Sequence, residues 1–287
     1  MKSYYRSSRC FEPVNTEEQE QKALSLLNDL YYNRRDHYGI KPRQESIFTD
    51  DFNWFSRYIN SPAKVLEIGS GTGTFAAMLS RAGYEVTAAD EYNNETITVL
   101  KENFKNTKIQ FSEIHSLLNS KEKYDAVISI CVLEHIIRPD EAIIKWINMV
   151  RPGGSLLIIC PNYSGVFTPL RTIVNLYAGK RIWMYRNIGH IISHIYENIL
   201  LNLNLIFVRK PCFVRCMPLT ENGRIVMKDS DVDAVHLPSS RGIINFLKQK
   251  NMSVITWRAG GRSILLRVIN MLFPGLSPTV RIHAKKP

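Results

Sequence analysis

The run Lys64-Val-Leu-Glu-Ile-Gly-Ser-Gly-Thr-Gly constrains this chain more than any other stretch of it. An apolar strand ends in glycines, a helical pattern over Thr74–Arg81 follows, and a second apolar strand, Glu85–Ala89, ends in Asp90. Strand, glycine turn, helix, strand and acid in that order open an α/β sheet that binds a nucleoside at its carboxyl edge. Gly69, Gly71 and Gly73 have the spacing G-x-G-x-G, one residue short of the dinucleotide fingerprint. Glu67 stands just before the turn, where a carboxylate would repel a pyrophosphate but suits a cation.

S-adenosylmethionine meets those conditions. It has a ribose and no phosphate, and it carries ammonium and sulfonium charges. Glycines at 69, 71 and 73, with Ser70 and Thr72 between them, would let the backbone approach it. Asp90 would accept hydrogen bonds from both ribose hydroxyls. Glu91 and Tyr92, which follow it, are placed to flank the ribose and adenine.

Two further blocks extend the pattern: Tyr124-Asp-Ala-Val-Ile-Ser-Ile-Cys-Val-Leu-Glu-His, and Val150-Arg-Pro-Gly-Gly-Ser-Leu-Leu-Ile-Ile-Cys-Pro-Asn. With the glycine loop they make Lys64–Asn162 resemble the core of a class I S-adenosylmethionine-dependent methyltransferase. The branch they are most similar to includes the ubiquinone-biosynthetic O-methyltransferases. The resemblance implies a Rossmann-like, doubly wound seven-stranded sheet with its last strand antiparallel. It also implies an adenine contact after the third strand, where Glu113 or the backbone at Ile114 is available, and cofactor contacts at Ile130 and Cys131, where the fourth strand ends.

Strands are expected at Val65–Ile68, Glu85–Ala89, Ile109–Phe111, Ala126–Ile130 and Leu156–Ile159, all short apolar runs of the kind buried in a parallel sheet. Helices are expected at Thr16–Asn33, Thr74–Arg81, Glu95–Phe104 and Glu141–Val150, with Thr16 and Asp140 as caps and Pro152-Gly153-Gly154 ending the last. The alternation stops after Asn162 and resumes with Ser240–Lys250, Ser253–Trp257, an apolar Ile264–Phe273 segment and Thr279–Ala284. Four regions follow: a helical lid (1–63), a cofactor-binding core (64–162), a substrate-cap insertion between the fifth strand and the next helix (163–238), and a completion of the sheet (239–287).

Charge separates these regions. Residues 1–150 carry 18 Lys/Arg against 21 Asp/Glu, whereas residues 151–287 carry 19 against 5, a formal charge of +14. That asymmetry suggests an anionic partner. Ile188–Val208 is the most apolar window, but His190, His194, Glu197, Asn198, Asn202 and Asn204 count against its spanning a bilayer. Bordered by Arg171, Lys180, Arg181, Arg186, Arg209 and Lys210, it suits a peripheral helix on an anionic membrane surface or a groove for a lipid-linked acceptor. The alternative is an ordinary cap helix packed on the core. Five irregularly spaced cysteines make no disulfide framework, and Cys212 and Cys216 read as small residues in apolar strands. Met1–Asn15 lacks a charged-then-apolar leader, so a cytoplasmic location is expected, with attachment to the inner face of the membrane as an option.

Methyl transfer from a sulfonium is an in-line displacement, and an acceptor hydroxyl also needs a base. The candidates lie after the fourth strand: His135 as general base, with Glu134 beside it. Relatives of the ubiquinone branch show Glu-x-x-Glu-His there and hold a divalent cation with it. Here Cys131 replaces the first carboxylate, which removes an oxygen ligand from a hard-metal site. No metal is expected, although Cys131, Glu134 and His135 are conceivable zinc ligands. The alternative is that Glu134 and His135 only orient the loop while His190, His194 or His236 acts as base. The resulting reading is O-methylation of a glycan, a lipid-linked molecule or another small anionic or amphipathic acceptor. RNA methylation is disfavoured, because the chain has no separate RNA-binding module and no Asn-Pro-Pro-Tyr-like residues after the fourth strand. A non-catalytic cofactor-binding activator subunit is the third option.

Overall fold

Period-two alternation in the strands sorts the core into two layers. A computed structural model of the chain describes residues 12–33, 41–165, 168, 188–225, 233–258 and 279–287. The central strands are β1 (Lys64–Ile68), β2 (Glu85–Asp90), β3 (Ile109–Glu113), β4 (Tyr124–Ile130) and β5 (Val150–Pro161). Between them lie α3 (Thr74–Arg81), α4 (Asn94–Asn103), α5 (Ile114–Leu118) and α6 (Pro139–Met149), with α1 (Glu17–Asn28) and α2 (Thr49–Phe55) before them. Leu66, Val127, Leu156 and Ile158 point to one face, where Ile143 and Trp146 of α6 and Ile243 and Leu247 cover them. Val65, Ala126, Leu157 and Ile159 point to the other, beneath Phe55, Phe75, Leu79 and Leu100.

Beyond β5 come α7 (Ile188–Val208), four two-residue strands, β6 (Val214–Arg215), β7 (Thr220–Glu221), β8 (Arg224–Ile225) and β9 (His236–Leu237), then α8 (Ser240–Gln249), β10 (Ser253–Arg258) and β11 (Thr279–Lys285). The main sheet runs β10-β11-β5-β4-β1-β2-β3. β1 through β5 pair in parallel, and β11 runs antiparallel to both β5 and β10. This is the expected doubly wound seven-stranded sheet. Its order reverses between β1 and β4, so the loops after those two strands face one crevice.

Several local expectations are corrected. Arg138, not Asp140, caps α6, because Pro139 takes the first helical position and moves the start forward. That helix stops at Met149, where buried Val150 turns extended and pairs with Tyr124. Pro152-Gly153-Gly154 therefore lies inside β5, with Gly153 and Gly154 bonded to the backbone of Lys286. Thr16 does cap α1, in a reciprocal box with Gln19, but the α-helix ends at Asn28 and Asp29–Asn33 continue as a π-turn. The Ile264–Phe273 segment and Arg171, Lys180, Arg181 and Arg186 lie outside the described residues.

The insertion leaves and rejoins the sheet at one buried side chain. Asn162 Oδ1 accepts from Ser164 Oγ at 3.0 Å and from Ser240 N at 3.3 Å, and Tyr163 N donates to Pro238 O. α1 packs on the insertion, with Leu27 and Leu30 sharing a cluster with Met217, Ile225 and Val235. By contrast α2 packs on the sheet through Phe55, so the leader has two separate attachments.

α8 lies so close to the insertion that a Cβ at Gly242 would stand 2.3 Å from the Cys212 carbonyl oxygen. An alanine in a helix normally gains ~1 kcal/mol over glycine. Here the clash should reverse that sign, and Gly242→Ala should lose roughly 1–2 kcal/mol by overpacking. Urea unfolding measures it, and an unchanged or raised midpoint would mean that α8 and the insertion part at little cost.

Candidate active site

The glycine loop is built to leave a backbone face open. Gly69 has φ +72°, and a Cβ on it would stand 2.1 Å from Val132 Cγ2, so the loops after β1 and β4 touch here. Gly71 has φ +51° and no atom within 4 Å of the space a Cβ would take, so it borders the open crevice. Asp90 holds this loop from the end of β2. Its Oδ2 accepts from Gly71 N at 2.6 Å, and its Oδ1 accepts from Glu91 N at 2.7 Å. Tyr92, buried, donates to Gly71 O at 2.6 Å and lies 2.8 Å from Ser70 Oγ, while Thr72 Oγ1 lies 3.1 Å from Thr74 Oγ1.

Two acids stand near the ends of neighbouring strands, Glu67 buried in β1 and Asp90 half-buried at the end of β2. Burial first, and then the charge of Asp90, push the Glu67 carboxyl well above the ordinary range, against a hydrogen bond from the Ala76 backbone. Burial also raises Asp90, opposed by the Gly71 and Glu91 amides. Glu67 Oε2 is buried without a hydrogen-bond partner among the described residues. Such a pair is relieved by a cation or by donors. The ammonium and ribose hydroxyls of S-adenosylmethionine are of that kind, so these residues fit the cofactor.

The adenine-side residues are partly engaged in structure. Glu113 pairs in register with Asp90 and caps α5, accepting from His115 N at 2.8 Å and Ser116 N at 2.7 Å. Ile114 is buried in the core cluster of the α6 face. Ile130 is half-buried, and exposed Cys131 has φ +54° with its amide bonded to Ile159 O at 2.8 Å.

A 3-10 turn over Leu133–His135 follows β4. Glu134 is completely buried, with Oε1 3.9 Å from His135 Nε2. His135 keeps 23% of its side chain exposed, and its Nδ1 lies 3.2 Å from Asp233 Oδ2. Tyr31, in the π-turn after α1, donates to the same oxygen at 2.5 Å. Burial works to raise the Asp233 pKa, but His135 and Tyr31 outweigh it and lower it to about 2. Asp233 is therefore ionised at neutral pH. The sequence reading missed both Asp233 and Tyr31, because each reaches His135 from a distant element. The available signal was scarcity, since Asp233 is one of only 5 acidic residues in 151–287.

His236 is placed as a support. Its Nδ1 lies 3.0 Å from Leu133 O, a carbonyl that can only accept, so Nδ1 carries the proton. Burial lowers its pKa to about 4, and Val235 N donates to Glu134 O beside it. His194 is fully buried on α7, and the His190 side chain lies outside the described residues. Among the described residues, the group of three potential ligands within 4.8 Å of one another is Glu91, Glu113 and His115. Cys131, Glu134 and His135 form no such group.

Residues 41–205 match the family model described as a methyltransferase domain, more than half of the chain. The chain belongs to that family. The chain spans 59% of the length of one curated relative that it matches and 62% of another. It is 31% identical over 152 residues to a ubiquinone biosynthesis O-methyltransferase of Rickettsia akari, a match covering 50% of this chain and 59% of that relative. Among solved structures, it resembles the 1,6-didemethyltoxoflavin-N1-methyltransferase of Burkholderia thailandensis, which has S-adenosylhomocysteine bound. The TM-score is 0.55 and the identity 13%, over 98% of this chain and 97% of that one. It also resembles the magnesium protoporphyrin IX methyltransferase of Synechocystis, with TM-score 0.50 and 14% identity over 93% and 100% of the two chains. The likeness to those two structures extends to the fold alone.

The two glycines should separate folding from cofactor binding. Gly69→Ala meets Val132 and should cost roughly 2–4 kcal/mol of stability, from overpacking and left-handed strain together. Gly71→Ala should cost only ~1–2 kcal/mol, yet weaken S-adenosylmethionine binding, because its methyl group enters the crevice. Thermal melting with calorimetric titration checks both, and unchanged affinity in Gly71→Ala would move the cofactor away from this loop.

Proposed function

We propose that this methyltransferase alkylates a hydroxyl oxygen of a small anionic or amphipathic acceptor, with His135 as the general base. The observation that carries the reading is the contact of His135 with ionised Asp233. S-adenosylmethionine supplies an electrophilic methyl group on a sulfonium, which leaves as a neutral thioether. The Asp233 carboxylate can only accept, so it holds the proton on His135 Nδ1 and leaves Nε2 as the basic nitrogen. As the acceptor's C–O bond to the methyl group forms, its O–H proton passes to Nε2. The resulting imidazolium is stabilised by ionised Asp233. Tyr31 fixes the Asp233 oxygen and so acts through it.

A base of this kind suits oxygen better than nitrogen, because a neutral amine attacks without first losing a proton. The relative from Rickettsia akari, named as an O-methyltransferase, supports the same choice. The basic character of residues 151–287 supports an anionic or amphipathic acceptor.

Acceptors are sought by incubating the chain with labelled methyl donor and lipid, glycan or RNA extracts. On the acceptor so found, His135→Ala should lower turnover by about 10²–10⁴-fold with cofactor affinity unchanged. Asp233→Asn should lower turnover and move the rising limb of the pH–rate profile to lower pH, since losing a carboxylate makes the imidazole less basic. Full turnover in His135→Ala would remove the base assignment, and no turnover on any extract would favour an activator subunit.

A further inference from the structure

α7 is amphipathic the wrong way round for a helix that only packs on a core. Its buried side carries His194, Asn198 and Asn202 alongside Ile191, Leu201 and Leu205. Asn198 Nδ2 donates to the carbonyls of Tyr163 and Gly165 at 3.1 and 3.2 Å, and Asn202 Nδ2 donates to Ser164 O at 2.8 Å. Its outer side is apolar. Ile192 and Tyr196 are each 62% exposed and Phe207 is 80% exposed, with Ile199, Leu200, Leu203 and Ile206 between them at 40–46%. At 3.6 residues per turn these seven fall within a sector about 120° wide. From Ile192 to Phe207 the strip is about 22 Å long.

We propose that this face of α7 seats the protein on an anionic lipid bilayer, with the helix lying in the interfacial plane. Water penalises such a strip, and contiguous exposed apolar surface of this extent marks an interaction site. A bilayer is the occupant that fits both the strip and its surroundings. Exposed Arg209 and Lys210 follow the helix directly, where they would meet headgroups once Phe207 and Val208 are inserted. They belong to a half-chain with 19 Lys/Arg against 5 Asp/Glu, so the charge around the strip complements an anionic leaflet. The same helix does not cross the bilayer. Its inner face is bonded to backbone carbonyls at the end of β5, so lipid cannot surround it. Those carbonyls follow the carboxyl end of β5, the edge at which this fold binds its ligands. The seating therefore brings the crevice side of the sheet towards the bilayer.

The test uses the full chain and vesicles of phosphatidylcholine alone or mixed with phosphatidylglycerol, scored by co-sedimentation. The mixed vesicles should bind at least about tenfold more tightly than the neutral ones, and added salt should release the protein. L203D/F207D should lose most of the binding without a fall in melting temperature, since both side chains are solvent-facing, and R209E/K210E should weaken binding about tenfold or more. Equal binding to both vesicle types, or unchanged binding by L203D/F207D, would overturn the proposal. So would a stable dimer in sedimentation equilibrium that L203D/F207D dissolves while vesicles recruit nothing, because the strip would then be a contact between copies. None of these readouts depends on methyl transfer, so failure here leaves the base assignment standing.

Discussion

The buried Asn162 side chain governs how this molecule is completed. Its amide oxygen takes one hydrogen bond from the start of the insertion, at Ser164, and one from its end, at Ser240. A long excursion of chain is thereby closed at its neck, which removes much of the freedom a loop of that length would otherwise keep. What returns through the neck is placed accordingly. Val235 and His236 bond the turn after β4, and Asp233 meets His135. In water this amide would exchange partners freely, whereas buried it must be satisfied, and satisfaction enforces one geometry.

Electrostatics divide the crevice into two regimes. At the glycine loop, burial raises both Glu67 and Asp90, and the charge of Asp90 raises Glu67 further. At the turn after β4, Asp233 is also mostly buried, yet a histidine and a tyrosine keep it charged. Burial works to raise the pKa at both sites. Partner identity separates them: His135 and Tyr31 lower the Asp233 pKa, whereas the Glu67 and Asp90 carboxyls are raised.

The cofactor half of the molecule was legible because its signals are local. The run from Lys64 to Asp90 contains its own strand, turn, helix and acid, and the continuous apolar Val65 and Leu66 declare a strand buried on both faces. Glu113 shows where local reading stops. The same carboxylate that suits an adenine amine is also a good cap, and only the structure shows that its oxygens meet the first amides of α5. Asp140 misled for a related reason. Aspartate favours both the cap and the first turn, and the proline before it decides between them. Tyr31 and Asp233 were invisible, since 202 positions separate them and neither sits in a spacing that betrays the other. Likewise, composition could show that Ile188–Val208 is apolar with interspersed amides, but only packing reveals that the amides turn inward.

The close approach of Gly69 to Val132 has a consequence for how such a protein can diversify. With only a hydrogen at position 69 and a branched side chain against it, the cofactor loop and the turn that carries His135 interlock as one unit. Neither can be reshaped alone, so the two must change in concert or stay as they are. Residues 163–238 are tied in at their neck, along that turn, and against α1 and α8. One missing methyl group thus couples the two loops, and a change in either must be matched in the other.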